Sequence, residues 1–180
     1  YIKGVRNFDI EKAYEAMRKN AFESPTNKKD YQNGMGRRAL QSYLKYGYIP
    51  LEDSVPDAFH TKEQVSRTLE YAYDDFVLSQ VAQKLQKDED YKLLSARAQN
   101  YRNVIDPQTG YAQGRHTDGT FLKEQNAFQF AKFITEGAPC HYTWYVPHDP
   151  YGLMECMGGK EKFALKLDSM FSDCLLYTSD

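Results

Sequence analysis

At 180 residues, with 23 Lys and Arg against 25 Asp and Glu, the chain is long enough for one domain or for part of a larger one, and it carries no charge excess. Its lysines are scattered rather than striped, which argues against a nucleic-acid surface. No apolar run approaches the roughly 20 residues that a membrane span needs.

The first predicted helix starts after Asp9, a good N-cap, and repeats Ile10, Ala13, Tyr14, Met17 and Ala21 at helical spacing before Ser24-Pro25 ends it. A polar loop follows to Gly34. A second helix is expected over 37–46, with Leu40 and Leu44 on one face and Gly47 as its stop. After an extended connector and the polar loop Glu52 to His60, Thr61 opens the strongest helix, with Gln64 completing a capping-box pattern. Its expected buried stripe is Val65, Leu69, Ala72 and Phe76, continued by Val77, Val81 and Leu85. Asp74 and Asp75 face either solvent or a polar cavity. Asp90 begins a fourth helix, with Tyr91, Leu94, Ala98 and Tyr101 on its apolar side. Asp106-Pro107-Gln108-Thr109-Gly110 is a turn. The stretch 111–122 reads as a loop or short hairpin, and 121–133 is ambiguous. The last helix runs over 160–171 with Phe163, Leu167 and Met170 inward. No alternation is long enough for a sheet, so the fold class is all-α, built of helical hairpins.

The two ends read differently from the middle. Tyr1-Ile-Lys looks like mid-protein sequence, with no initiator Met and no signal peptide. Cys174 to Asp180 reads as the in-frame translation of a transposon-type sequencing adapter, so the native chain is expected to stop near 173. That leaves Cys140 and Cys156, expected as two free thiols rather than a disulfide, and neither is in a metal-ligand pattern.

The chemistry concentrates between Phe133 and Gly152, which hold the only Trp and two of the four His. Glu136 precedes Gly137 and lies close to Pro139, both turn formers, so it belongs to a loop or a helix start. His141, Tyr142, Trp144 and Tyr145 follow. A carboxyl walled by aromatics is harder to ionise and suits a general acid, and flat aromatic faces suit a sugar ring. The same residues also fit an N-cap carboxylate on a packed helix. Other motifs lead nowhere. Gly158-Gly159 lacks the Lys-Ser/Thr of a phosphate loop, His116, His141 and His148 have no metal spacing, and Ser54 and Ser66 lack a nucleophile elbow.

From Val65 to Phe76 the sequence Val-Ser-Arg-Thr-Leu-Glu-Tyr-Ala-Tyr-Asp-Asp-Phe begins to resemble a known family. The likeness continues through Asn100-Tyr101-Arg102-Asn103, Asp106 to Gly110, Thr135-Glu136-Gly137, Tyr142 to Asp149, Gly152-Leu153-Met154 and Gly158-Gly159. In order, these motifs resemble glycoside hydrolase family 92, the calcium-dependent inverting exo-α-mannosidases common in gut Bacteroidetes. The resemblance covers about Gly4 to Phe171. It implies that residues 1–173 are an interior part of an (α/α) six-hairpin toroid, incomplete in this chain. It implies Glu136 as the general acid, with His141, Trp144, His148 and Asp149 shaping the sugar site. The implied partner is a mannose-containing glycan, and the implied location is secreted, periplasmic or on the surface of a bacterium. The general base and most ligands of the implied Ca2+ fall beyond this chain. Two departures stand out: Ala138-Pro139-Cys140-His141 replaces the family's usual Asn-Ala-Trp-Gln beside the acid, and Phe76 replaces a usual Trp. A non-catalytic helical module that binds glycan or protein is the alternative.

Overall fold

A computed structural model describes residues 1–54 and 61–173; part of the loop Glu52 to His60 and the whole adapter-like tail fall outside the described residues. The elements in order are α1 (Ile10–Phe22), α2 (Lys28–Gln32), α3 (Leu40–Tyr46), α4 (Gln64–Lys84), α5 (Asp88–Arg97), a 3-10 helix (Ala98–Val104), α6 (Pro139–Tyr142), α7 (Pro150–Cys156) and α8 (Lys160–Ser172). Among the described residues there is no named strand, only isolated bridges pairing Ile105 with Ala112 and Arg115 with Phe121. The all-α expectation holds.

The fold is assembled around α4, which packs against α5, the 3-10 helix and α1. Val65, Leu69 and Ala72 lie fully buried in one core with Tyr101, Val104, Ile134 and Val146. Leu78, Val81 and Ala82 join Tyr14, Ala21 and Leu94 in a second. The turn from α4 to α5 closes as a Schellman motif. Lys87 N–H donates to the Ala82 carbonyl at 2.9 Å and Gln86 N–H to the Gln83 carbonyl at 3.2 Å.

Local signals were met at α1, where the Asp9 carboxylate accepts from Lys12 N–H at 3.1 Å. They were also met at Gly47, which ends α3 at φ 73°. Other expectations need correction. The loop expected before Gly34 contains the short α2, capped by the Asn27 side chain. Within α3, Leu44 is exposed and Tyr43 takes the buried place beside Leu40. Val77 is exposed while Leu78 is buried, so the α4 stripe turns one residue further than drawn. Helix α8 buries none of its residues fully; Phe163 and Met170 pack inward while Leu165 and Phe171 are exposed.

The start of α4 also differs. The helix begins at Gln64 rather than Thr61 and has no side-chain N-cap. Its first N–H groups are met instead by a distant loop: Glu63 N–H donates to the Lys132 carbonyl and Val65 N–H to the Phe133 carbonyl, both at 3.0 Å. The Gln64 amide turns away to the Leu51 and Asp53 carbonyls. This exchange fixes the segment that carries Glu136 against the central helix.

Candidate active site on the loop at Glu136

The loop 131–137 is pinned along its length. Ala131, Phe133 and Ile134 are buried in the main core. Ala131 N–H donates to the Gly137 carbonyl at 3.2 Å, closing the loop on itself. Thr135 N–H donates to the Ser66 hydroxyl in the first turn of α4 at 2.8 Å. Glu136 follows with φ 49°, in the left-handed region that costs a non-glycine residue about 1–2 kcal/mol. Its side chain is exposed. The expected aromatic wall therefore does not shield this carboxyl from solvent. The alternative reading fails as well: α6 starts at Pro139 with Ala138 as its N-cap residue, two positions past Glu136.

Next to this loop α4 presents Glu70, Tyr73 and Asp74. The Tyr142 hydroxyl donates to the Glu70 carboxylate. Tyr145 stacks edge-on with Tyr73 at 5.9 Å and tilts against Tyr142 at 5.8 Å. Burial, with Glu70 close by, pushes the Tyr142 and Tyr145 phenols up, so both stay neutral donors. Asp74 lines a cleft of about 600 Å³ shared with Met17, Asn20, Arg37, Tyr73 and Val77. Desolvation, with Asp75 and Glu70 nearby, raises its carboxyl against the pull of Arg37. Its side chain is 59% exposed, so water screens most of that effect.

The adjacent Asp75 has a different task. Fully buried, it takes Arg37 Nη1 at 2.7 Å and Arg97 through Nε at 2.8 Å and Nη2 at 3.0 Å. The Tyr43 hydroxyl completes the set at 3.1 Å. One helix thus points one carboxylate at a cleft and the next at a two-arginine lock.

The other residues singled out from the sequence fall into two groups. His141 is half-buried on α6. Its Nδ1 accepts from Ala138 N–H at 3.2 Å, so the neutral ring carries its proton on Nε2, which is buried and has no hydrogen-bond partner among the described residues. Trp144, His148 and Asp149 are held by the protein itself. Trp144 Nε1–H donates to the Cys140 carbonyl at 2.9 Å and its ring meets Phe163 edge-on. His148 Nε2–H donates to the Ala98 carbonyl at 2.8 Å inside a box of Tyr73, Phe76 and Tyr101 rings. Burial pushes this imidazole down and keeps it neutral. Asp149 caps α7 through Gly152 N–H at 2.9 Å and accepts from the Tyr101 hydroxyl at 2.7 Å. Burial works against its charge, but Tyr101, Gly152 N–H and Arg102 outweigh it and hold the carboxyl below the usual range. Cys156 is a free thiol, whereas Cys140 is disulfide-bonded, which corrects the expectation of two free thiols.

Sequence reasoning missed Glu70. The signal was present: Glu70, Tyr73 and Asp74 recur at the i, i+3, i+4 spacing that puts them on one helix face. No group of three or more His, Cys, Asp or Glu among the described residues is placed to hold a metal ion.

Residues 1–178 match the model of the glycosyl hydrolase family 92 catalytic domain. The uncharacterized secreted glycosidase of Arthroderma benhamiae is 28% identical over 202 aligned positions, covering 98% of this chain and 26% of that protein. Among solved structures, the family GH92 α-mannosidase BT3965 of Bacteroides thetaiotaomicron superposes with a TM-score of 0.79 at 38% identity, over 95% of this chain and 20% of its own. The inverting mannosidase BT2199 of the same organism gives 0.78 at 33% identity, over 93% and 21%. The chain thus spans about a quarter or less of the relatives it matches. Its helices match structures that carry an (α/α) toroid domain. The chain belongs to glycoside hydrolase family 92.

Proposed function

We propose that the intact protein is an exo-acting α-mannosidase that hydrolyses terminal α-linked mannose with inversion, and that Glu136 is its general acid. The observation that carries this reading is the loop at Glu136: an exposed carboxylate in a left-handed conformation, pinned to the central helix in a chain that resembles known α-mannosidases. In the reaction Glu136 gives its proton to the glycosidic oxygen as the bond to the anomeric carbon breaks. Water attacks that carbon from the opposite face and passes its proton to a second carboxylate, roughly 6.5–9.5 Å from the first in inverting enzymes. We place that base in the remainder of the protein and treat residues 1–173 as an interior piece of the toroid.

His141 is assigned to the sugar site by its place on α6, close after Glu136, where its Nδ1 accepts from Ala138 N–H. Trp144, His148 and Asp149 shape the same region by holding α6, α7 and the intervening turn in place. The calcium ion implied by the family finds no ligand cluster among the described residues, so no step here runs through it. A relative in this family was solved with mannoimidazole bound, and the fungal relative is a secreted glycosidase. Both support a mannose-containing glycan as substrate and a site of action outside the cytoplasm.

The test is mannose release from α-linked mannobiosides by the intact protein and its Glu136→Gln variant. Loss of about 10²–10⁴-fold in kcat is expected for a missing general acid. Activity retained in Glu136→Gln but lost in Asp74→Asn would move the acid to the cleft on α4.

A further inference from the structure

We infer that Ser66 and Tyr142 are positioning residues that set the proton-donating geometry of Glu136; this rests on the reading of Glu136 as the acid. The segment that carries Glu136 is gripped on both sides. Before it, the Thr135 N–H donates to the Ser66 hydroxyl at 2.8 Å; after it comes Tyr142, the last residue of α6. Tyr142 is itself anchored, because its hydroxyl donates to the Glu70 carboxylate. Ser66 and Glu70 both sit on α4, one turn apart, so the two grips share one rigid base.

The grip explains a conformation that local sequence does not. Glu136 sits at φ 49°, and the Gly137 that follows it does not have a positive φ. A non-glycine residue stays in the left-handed region only where its surroundings over-determine it. Here the flanking residues do so: Thr135 is fixed to α4, and the Gly137 carbonyl accepts from Ala131 N–H at 3.2 Å. Ser66 is fully buried, so its hydroxyl meets no solvent and serves this contact. Removing it leaves the Thr135 N–H without its partner and lets Glu136 relax toward the right-handed region, which swings the carboxyl away from the departing oxygen.

The experiment uses the intact protein and two substrate types. An α-linked mannobioside needs its leaving oxygen protonated; 2,4-dinitrophenyl α-mannoside does not, because its phenolate leaves as the anion. Ser66→Ala is expected to lower kcat on the mannobioside about 10- to 100-fold, as a misplaced catalytic group does, with KM little changed and the aryl substrate nearly unaffected. Tyr142→Phe is expected to give a smaller loss with the same selectivity, and it carries the test if Ser66→Ala does not fold. Glu136→Gln serves as the reference. If Glu136→Gln is selective but both other variants slow the two substrates equally, or neither, the positioning role is wrong. If Glu136→Gln shows no selectivity, the acid reading fails and this inference falls with it.

Discussion

The residue that decides most around the site, after Glu136, is a glycine. At Gly152 a Cβ would collide with the Tyr101 hydroxyl, the Arg102 guanidinium and the Asp149 carboxylate. Gly152→Ala should therefore cost about 3 kcal/mol, because the three groups form one hydrogen-bonded set that cannot yield singly. Urea unfolding of the intact protein measures this, and a loss below about 0.5 kcal/mol would contradict it. His148 supplies a pH dependence. Its folded pKa lies below the ordinary 6.5, so unfolding takes up a proton on the acid side. Its contribution to stability is complete above pH 6.5 and fades as the pH falls below it toward the depressed value. His148→Gln should flatten the fall in Tm between neutral pH and pH 5; an unchanged slope would count against it. The turn at Glu136 was legible from Gly137 and Pro139. Its exposure was not, because what covers or leaves open a loop is decided by residues far away in sequence.

At the scale of elements, α4 carries the argument. Asp74 and Asp75 looked alike in the sequence, yet a helical step of one residue separates solvent from core. The partners that bury Asp75 are 38 and 22 residues away, which no local pattern reveals. Asp75→Asn should destabilise by about 3–5 kcal/mol, since it strands two buried guanidinium groups. A Tm shift of only a degree or two in the intact protein would show the pair to be weakly coupled. The start of α4 was misread for a related reason. Thr61 and Gln64 have capping-box spacing, but the carbonyls of Lys132 and Phe133 reach the first turn, and the Gln64 amide is drawn to Leu51 and Asp53. Long-range backbone partners overrode a correct local signal.

At the scale of the molecule, the helical class and the family were legible because an ordered series of motifs survives along the chain. The stretch 121–133 stayed ambiguous because its aromatics serve a loop held from outside rather than an element of its own. Leu165 is 67% exposed and Phe171 80% exposed on α8. A helix showing such residues to water is built to meet a further layer. On the proposal that Glu136 is the acid and its base lies in the remainder of the protein, these 180 residues expressed alone should melt without a sharp transition and release no mannose. A cooperative melt from a soluble monomer, or measurable turnover, would argue against that.

The most direct measurement is kcat of the intact protein on α-linked mannobiosides, with the native residue and with glutamine at position 136, assayed with calcium and with chelator. The account predicts calcium-dependent mannose release that falls about 10²–10⁴-fold in Glu136→Gln. Full activity in the variant would contradict it, leaving Glu136 as an exposed turn residue and placing the acid elsewhere in the protein.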